Sequence, residues 1–199
     1  MANADKSFIG SYLLGMGFTF DDTDTKSVAT PFAEMHRLIE RDSRNAERIF
    51  PYIGGEEVNG SPTHASHRYV IDFFDRDLEE AEKWPDLLEI VRERVKPERD
   101  GQKRKALRER WWQYAEKRPG LIAAITGLDR VLAISRVNPH VAFTFLPVRM
   151  VYAESLVVFA FDSLRSFCIL QSHIHEIWAR FFSSTAIELE AIPKPYSAR

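Results

Sequence analysis

Between Arg130 and Phe161 the chain carries four short β-type runs, VLAISRV, VAFTF, RMVY and LVVFAF. They are parted only by Asn138-Pro139, Pro147 and Glu154-Ser155. Runs joined by turns this short suit an antiparallel meander, and no other part of the sequence constrains the fold so tightly.

The preceding sequence alternates strands and helices. Ser7–Phe20 mixes aromatic and branched residues with Gly10, Gly15 and Gly17, which would break a helix. It reads as a strand pair or a bulged strand. Thr30-Pro31 reads as an N-cap and first helical turn, opening a helix from Pro31 to Asp42 with Phe32, Met35, Leu38 and Ile39 on one face. Ile49–Ile53 is a short apolar segment. Gly54-Gly55-Glu56-Glu57-Val58-Asn59 then reads as a hairpin or loop with glycines at positive φ. Arg68–Phe74 (RYVIDFF) is β-prone and reads as a central strand. Helices are predicted over Asp77–Lys83, Pro85–Val95, Pro119–Leu128 and Ser163–Ser183. The expected fold is α+β, a single domain with an antiparallel β meander and flanking helices. Residues 1–6 read as a tag or disordered start, 7–187 as the domain and 188–199 as a frayed or truncated tail.

Composition narrows the class. The 199 residues hold 27 Lys+Arg and 29 Asp+Glu, with 45% hydrophobic and 28% charged residues, which excludes a disordered, collagenous or coiled-coil chain. A wholly basic nucleic-acid binder is excluded, whereas a local basic patch is not. The single cysteine, Cys168, permits no disulfide within the chain. With no apolar signal segment at the start, this points to a reducing cytoplasm. No run approaches the ~20 apolar residues of a membrane helix.

Charge is segregated. From Arg92 to Arg118 there are eleven Lys/Arg and five acids, net +6, in a chain whose formal total is −2. Such a segment can track a phosphate backbone, with Trp111, Trp112 and Tyr114 beside it to stack on bases. It can equally be a solvated helix with Glu/Arg pairs and a Trp pair in the core. Arg136, Asn138, His140 and Thr144 lie at the start of the meander. Arg reads guanine and Asn reads adenine through paired hydrogen bonds, although ordinary turn chemistry also accounts for Asn138-Pro139. His173-x-His175-Glu176 is the one metal-like cluster, yet residues two apart on a helix point about 200° apart and cannot share a ligand face. There is no Gly-rich phosphate loop, no Gly-x-Ser-x-Gly elbow and no thiolate zinc set.

A set of blocks carries a family resemblance: SFIGSYLLGMGF, RNAERIFPYIGGEEVN, RYVIDFFDRDLEEAEKWPD, VKPER, RERWWQYAEKRP, LDRVLAISRV and LVVFAFDSLRSFCILQSHIHEIWA. In this order, over roughly Ser7 to Thr185, they resemble the target-recognition domain of MmeI-like restriction–modification DNA methyltransferases, which are adenine-specific. The sequence departs from the family at its end, where Ala191–Tyr196 stands in place of a Phe-Pro-Phe-Pro type segment. The resemblance implies a non-enzymatic fragment that binds double-stranded DNA in the cytoplasm, monomeric and away from membranes. It would hold the duplex for an upstream methyltransferase domain, whose Asn-Pro-Pro-Tyr motif and cofactor glycines are absent from this sequence. No cofactor is expected in this fragment; S-adenosylmethionine would belong to the missing domain, into which the target adenine would flip. Within that frame Lys103, Arg104, Lys105 and Arg108 are the expected phosphate contacts, and Arg136, Asn138, His140 and Arg149 the expected base readers. Trp111, Trp112, Tyr52, Asp72 and His175 are expected scaffold. The rival readings are a protein-docking module that shows an apolar patch and binds no DNA, and a metal-dependent hydrolase built on Asp162, His173, His175 and Glu176.

Overall fold

A computed structural model describes residues 6–138 and 140–182. Among these residues are two four-stranded sheets. The first is wholly antiparallel, in the order β1 (Ser7–Ile9), β8 (Leu156–Phe159), β5 (Arg130–Ser135), β6 (Thr144–Pro147). The second runs β2 (Thr19–Phe20), β4 (Arg68–Ile71), β3 (Ile49–Ile53), β7 (Val151–Tyr152). Its β3 and β7 are parallel, with Tyr52 opposite Val151 and Ile53 opposite Tyr152. The helices are α1 (Phe32–Arg41), α2 (Gly55–Gly60), α3 (Leu78–Ala81), α4 (Pro85–Arg94), α5 (Lys96–Asp100), α6 (Lys105–Glu109), α7 (Pro119–Ile125), α8 (Leu164–Leu170) and α9 (His173–Phe182).

The α+β class stands, with antiparallel sheets and flanking helices. One run departs from a consecutive meander: RMVY leaves the first sheet and joins the second beside β3. The expected strand pair at Ser7–Phe20 becomes β1 and β2 in different sheets, separated by Leu14 at φ 54°, Gly15 at φ 110° and a tight turn at Met16–Phe18. Pro31 itself takes the N-cap position of α1, and the Asp22 carboxylate accepts the Phe32 N–H at 2.8 Å. The Gly54–Asn59 stretch is helical, with Gly54 at φ −130°, because Glu57 turns back to accept the Gly54 N–H at 2.9 Å. The predicted closing helix is two helices, broken at Gln171-Ser172. Ser183 and the tail lie outside the described residues.

Two apolar clusters follow from this topology. Phe18, Phe20, Val70, Ile71, Phe73, Leu87, Val91, Trp111, Trp112 and Tyr114 fill one. Ile53, Leu121, Val131, Leu146, Tyr152, Leu156 and Val158 fill the other. Each fully buried large side chain contributes about 1.5–3 kcal/mol. The aromatic trio of the basic segment therefore belongs to the core and is not available to bases. Tyr114 packs edge-on to Phe18 and donates to the Ile71 carbonyl at 2.8 Å, and Trp112 Nε1 donates to the Arg76 carbonyl at 3.0 Å.

Asp72 follows β4 and is buried in the same cluster region, where its carboxylate accepts the Phe74 N–H at 2.7 Å. Burial pushes its pKa from 3.8 up to about 7. The folded protein thus holds a proton that the unfolded chain has already lost between those values. Stability is expected to fall as pH rises from about 4 to about 7 and to level off above. Urea denaturation across that range should show the slope in the natural protein and a flatter profile in Asp72→Asn; an unchanged slope would refute the assignment.

Candidate functional site

The β5–β6 hairpin ends in the loop that carries Arg136, Asn138 and His140. This loop is clamped from two sides. On one side Asn59, the fifth residue of α2, donates to the Val137 carbonyl at 3.1 Å and accepts from Asn138 Nδ2 at 2.8 Å. On the other, Gln171 accepts the Phe143 N–H at 2.8 Å and donates to the Val141 carbonyl at 2.9 Å. Asn138 also accepts the His140 N–H at 3.0 Å, so its carbonyl and amide both hold the loop's shape. Ser135 Oγ adds a bond to the Val137 carbonyl at 3.0 Å.

Gly55 is required here by a close approach. A Cβ at this position would sit 2.7 Å from Ser135 Oγ, so any other residue would displace the hydroxyl that bonds the Val137 carbonyl. Arg136 is exposed and spends one N–H on the Glu154 carbonyl at 3.1 Å. The rest of its guanidinium and the exposed ring of His140 face solvent. Arg149 is exposed but sits elsewhere. Pro147 pairs with Arg130 and Val148 N–H reaches the Asp129 carbonyl, which puts Arg149 at the opposite end of β5, roughly 17 Å away by strand rise. The structure therefore joins three of the four expected base readers and separates the fourth.

The basic segment is less of a free surface than its composition suggests. Arg99 is fully buried, donating to the Leu13 carbonyl at 2.6 Å, and burial lowers its pKa. Arg94 binds the carbonyls of Ser27 and Val28, at 3.2 and 3.0 Å. Arg92 pairs with Glu89, Lys96 with Asp100 and Lys117 with Asp75. The four expected phosphate residues stay at the surface, in and before α6. Arg104 lies 3.5 Å from Glu116, and Lys105 lies 3.3 Å from Glu109. Such exposed pairs are worth about 0–1 kcal/mol and yield readily to a stronger anion. Arg108 closes the preceding loop by donating to the carbonyls of Gln102 and Lys103, at 2.6 and 3.0 Å. Lys103 has no ion partner among the described residues.

The His173/His175/Glu176 cluster divides as helical geometry requires. His175 is tilted against Phe143 with ring centroids 5.9 Å apart, while exposed His173 lies 3.8 Å from Glu176, which also pairs with Arg180. Among the described residues no group of three or more His, Cys, Asp or Glu is placed to hold a metal ion, and no helix is long and apolar enough to cross a membrane. On α9, by contrast, Ile174, Ile177, Trp178, Phe181 and Phe182 are exposed, Ile174 at 82% and Phe181 at 81%. They recur at helical spacing and make one apolar face.

Asn59 and Gln171 were not legible as site residues from sequence. Glu57 three places after Gly54 was the one local sign that a helix, and not a loop, presents Asn59.

Comparison with known proteins adds two findings. The family described as MmeI, target recognition domain, matches residues 6–185. A solved structure of the Type IIL restriction-modification enzyme MmeI in complex with DNA shares the fold, with a TM-score of 0.63 at 14% identity. The likeness covers 88% of this chain and 22% of that one, so the chain spans about a fifth of that enzyme's length. No curated protein matches the chain.

The double clamp gives an expectation. Asn59→Ala and Gln171→Ala should each cost about 1 kcal/mol and speed amide hydrogen exchange in the Arg136–Phe143 loop selectively. Exchange there that stayed as slow as in the natural protein would remove the two amides from this role.

Proposed function

The chain belongs to the MmeI target-recognition-domain family, and from that premise we propose that it selects a DNA sequence on behalf of a catalytic domain carried elsewhere. One observation supports this reading above the others. An exposed Arg and an exposed His ride on a hairpin loop held by two side-chain amides from outside it. A loop already held in shape loses little conformational entropy when it meets a base edge. Arg136 and His140 read bases in the major groove, Asn138 holds their loop, and Arg149 touches the duplex at a second place. Lys103, Arg104, Lys105 and Arg108 take phosphates and set register. The chemistry is N6-adenine methylation by a methyltransferase domain that supplies the S-adenosylmethionine site, and this chain positions the duplex for it.

A second reading rests on the α9 face. Apolar side chains this exposed mark a docking surface. A recognition domain that now only docks onto another subunit would use that face and would show no salt-dependent DNA binding.

Selection of the 199-residue chain against a randomised duplex pool at two salt concentrations separates the readings. A short asymmetric consensus is expected. Arg136→Ala should relax one base position at a cost of about 1–3 kcal/mol, whereas Lys103→Ala should weaken all sequences alike. No binding at either salt would favour docking.

A further inference from the structure

The 3₁₀ turn Ser43–Arg48 and the loop after β4 meet around one indole. The Arg48 guanidinium lies 4.7 Å from the Trp84 ring centroid and that of Arg76 lies 5.6 Å from it, so the two cations are within about 10 Å of each other. Arg48 also stands over the Phe74 ring at 5.7 Å. Among the described residues neither arginine has an ion partner within 4.0 Å. Among the described residues Arg48 Nε is buried with no hydrogen-bond partner, and the Arg76 side chain makes one long hydrogen bond, 3.5 Å to the Phe73 carbonyl.

Among the described residues the acids nearby act on this charge from a distance and make no ion pair with it. Asp75 is committed to Lys117 at 2.5 Å. Asp72 spends an oxygen on the Phe74 N–H, and Glu47 is exposed beside Arg48 without pairing to it. Burial, and after it the charge of Arg76, lower the pKa of Arg48, and the fields of Glu47 and Asp72 offset this only in part. Holding the pair there has a conformational cost. Phe74, between Asp72 and Arg76, sits at φ 53°, a region in which a bulky side chain is strained. The loop is kept in place by its backbone, because the Arg76 carbonyl accepts from Trp112 Nε1 at 3.0 Å and from Gln113 Nε2 at 2.7 Å. Those two residues lie within the Arg92–Arg118 segment, so the loop that carries Arg76 is anchored on it.

We propose that Arg48 and Arg76, assembled on Trp84, form a binding site for phosphate groups of a nucleic-acid backbone. The proposal rests on the DNA-recognition reading and extends the phosphate-contacting surface to residues outside the Arg92–Arg118 segment. Two guanidiniums on a rigid aromatic support present planar forks of N–H donors to phosphate oxygens, and the anion satisfies their mutual repulsion.

Two measurements on the 199-residue chain test it. In the first, inorganic phosphate is titrated while the arginine Nε–H resonances are followed by NMR. Saturable shifts at Arg48 and Arg76 that duplex DNA competes away support a backbone site. Saturable shifts that DNA leaves untouched mean a free-phosphate site and overturn the nucleic-acid assignment, and no shift overturns the site altogether. In the second, duplex affinity is measured against salt for the natural chain, Arg76→Gln and Arg48→Lys. Arg76→Gln keeps the carbonyl that anchors the loop, so its fold should survive, and its log–log salt slope should fall in magnitude by about one. Arg48→Lys should retain the slope of the natural chain. An unchanged slope in Arg76→Gln, with the natural chain binding DNA, overturns this site and leaves the recognition reading intact. A natural chain that binds no duplex overturns both.

Discussion

The arrangement of both sheets depends on a seam where three stretches of backbone run side by side. Gly10 N–H reaches the Leu156 carbonyl at 3.1 Å, Ser11 N–H the Tyr152 carbonyl at 2.7 Å, and Ala153 N–H the Ile53 carbonyl at 2.8 Å. Arg118 Nε adds a bond to the Gly10 carbonyl at 3.1 Å. Any Cβ at Gly10 would meet the Ala153 carbonyl oxygen at 2.1 Å, so only glycine permits the approach. The seam joins the two sheets.

The seam also sets out the proposed recognition surface. Ala153–Leu156 turns back at the seam, and the carbonyls of Glu154 and Ser155 hold the side chain and backbone of Arg136. The same strand geometry puts Arg149 at the far end of the hairpin. Beside the seam, Tyr12 and Glu116 exchange backbone hydrogen bonds of 3.0 and 3.1 Å, and Glu116 lies against Arg104. Loop and basic segment are therefore tied to one hydrogen-bonded framework. A surface organised in this way can hold register on a duplex while a short loop reads it.

Net charge over the Arg92–Arg118 segment was legible, but the use of each charge was not. Arg99 went inside, Arg94 became a clamp on the loop Ser27–Ala29, and three more cations were absorbed by acids from near or distant sequence. Composition counts charges without regard to direction, and only packing decides whether a guanidinium meets solvent or a carbonyl. The pair Arg48 and Arg76 shows the converse. Nothing in either local sequence marks it, because β3–β4 pairing and the Arg48 carbonyl, 2.9 Å from the Asp72 N–H, bring the two together.

By itself the sequence determined the α+β class, the positions of most strands and longer helices, and a recognition-domain family. Those are carried by periodicity, by glycine and proline punctuation and by the order of blocks, all of which act over a few residues. Tertiary structure alone decided that RMVY pairs in parallel with β3, that the Gly54–Asn59 stretch is aimed at the hairpin, and that Asn59 and Gln171 clamp the Arg136 loop. Each of these depends on partners far along the chain, 78 residues apart for Asn59 and Val137 and 28 for Phe143 and Gln171. Contacts over such separations form only when the two sheets have closed on each other, and no local pattern encodes that closure.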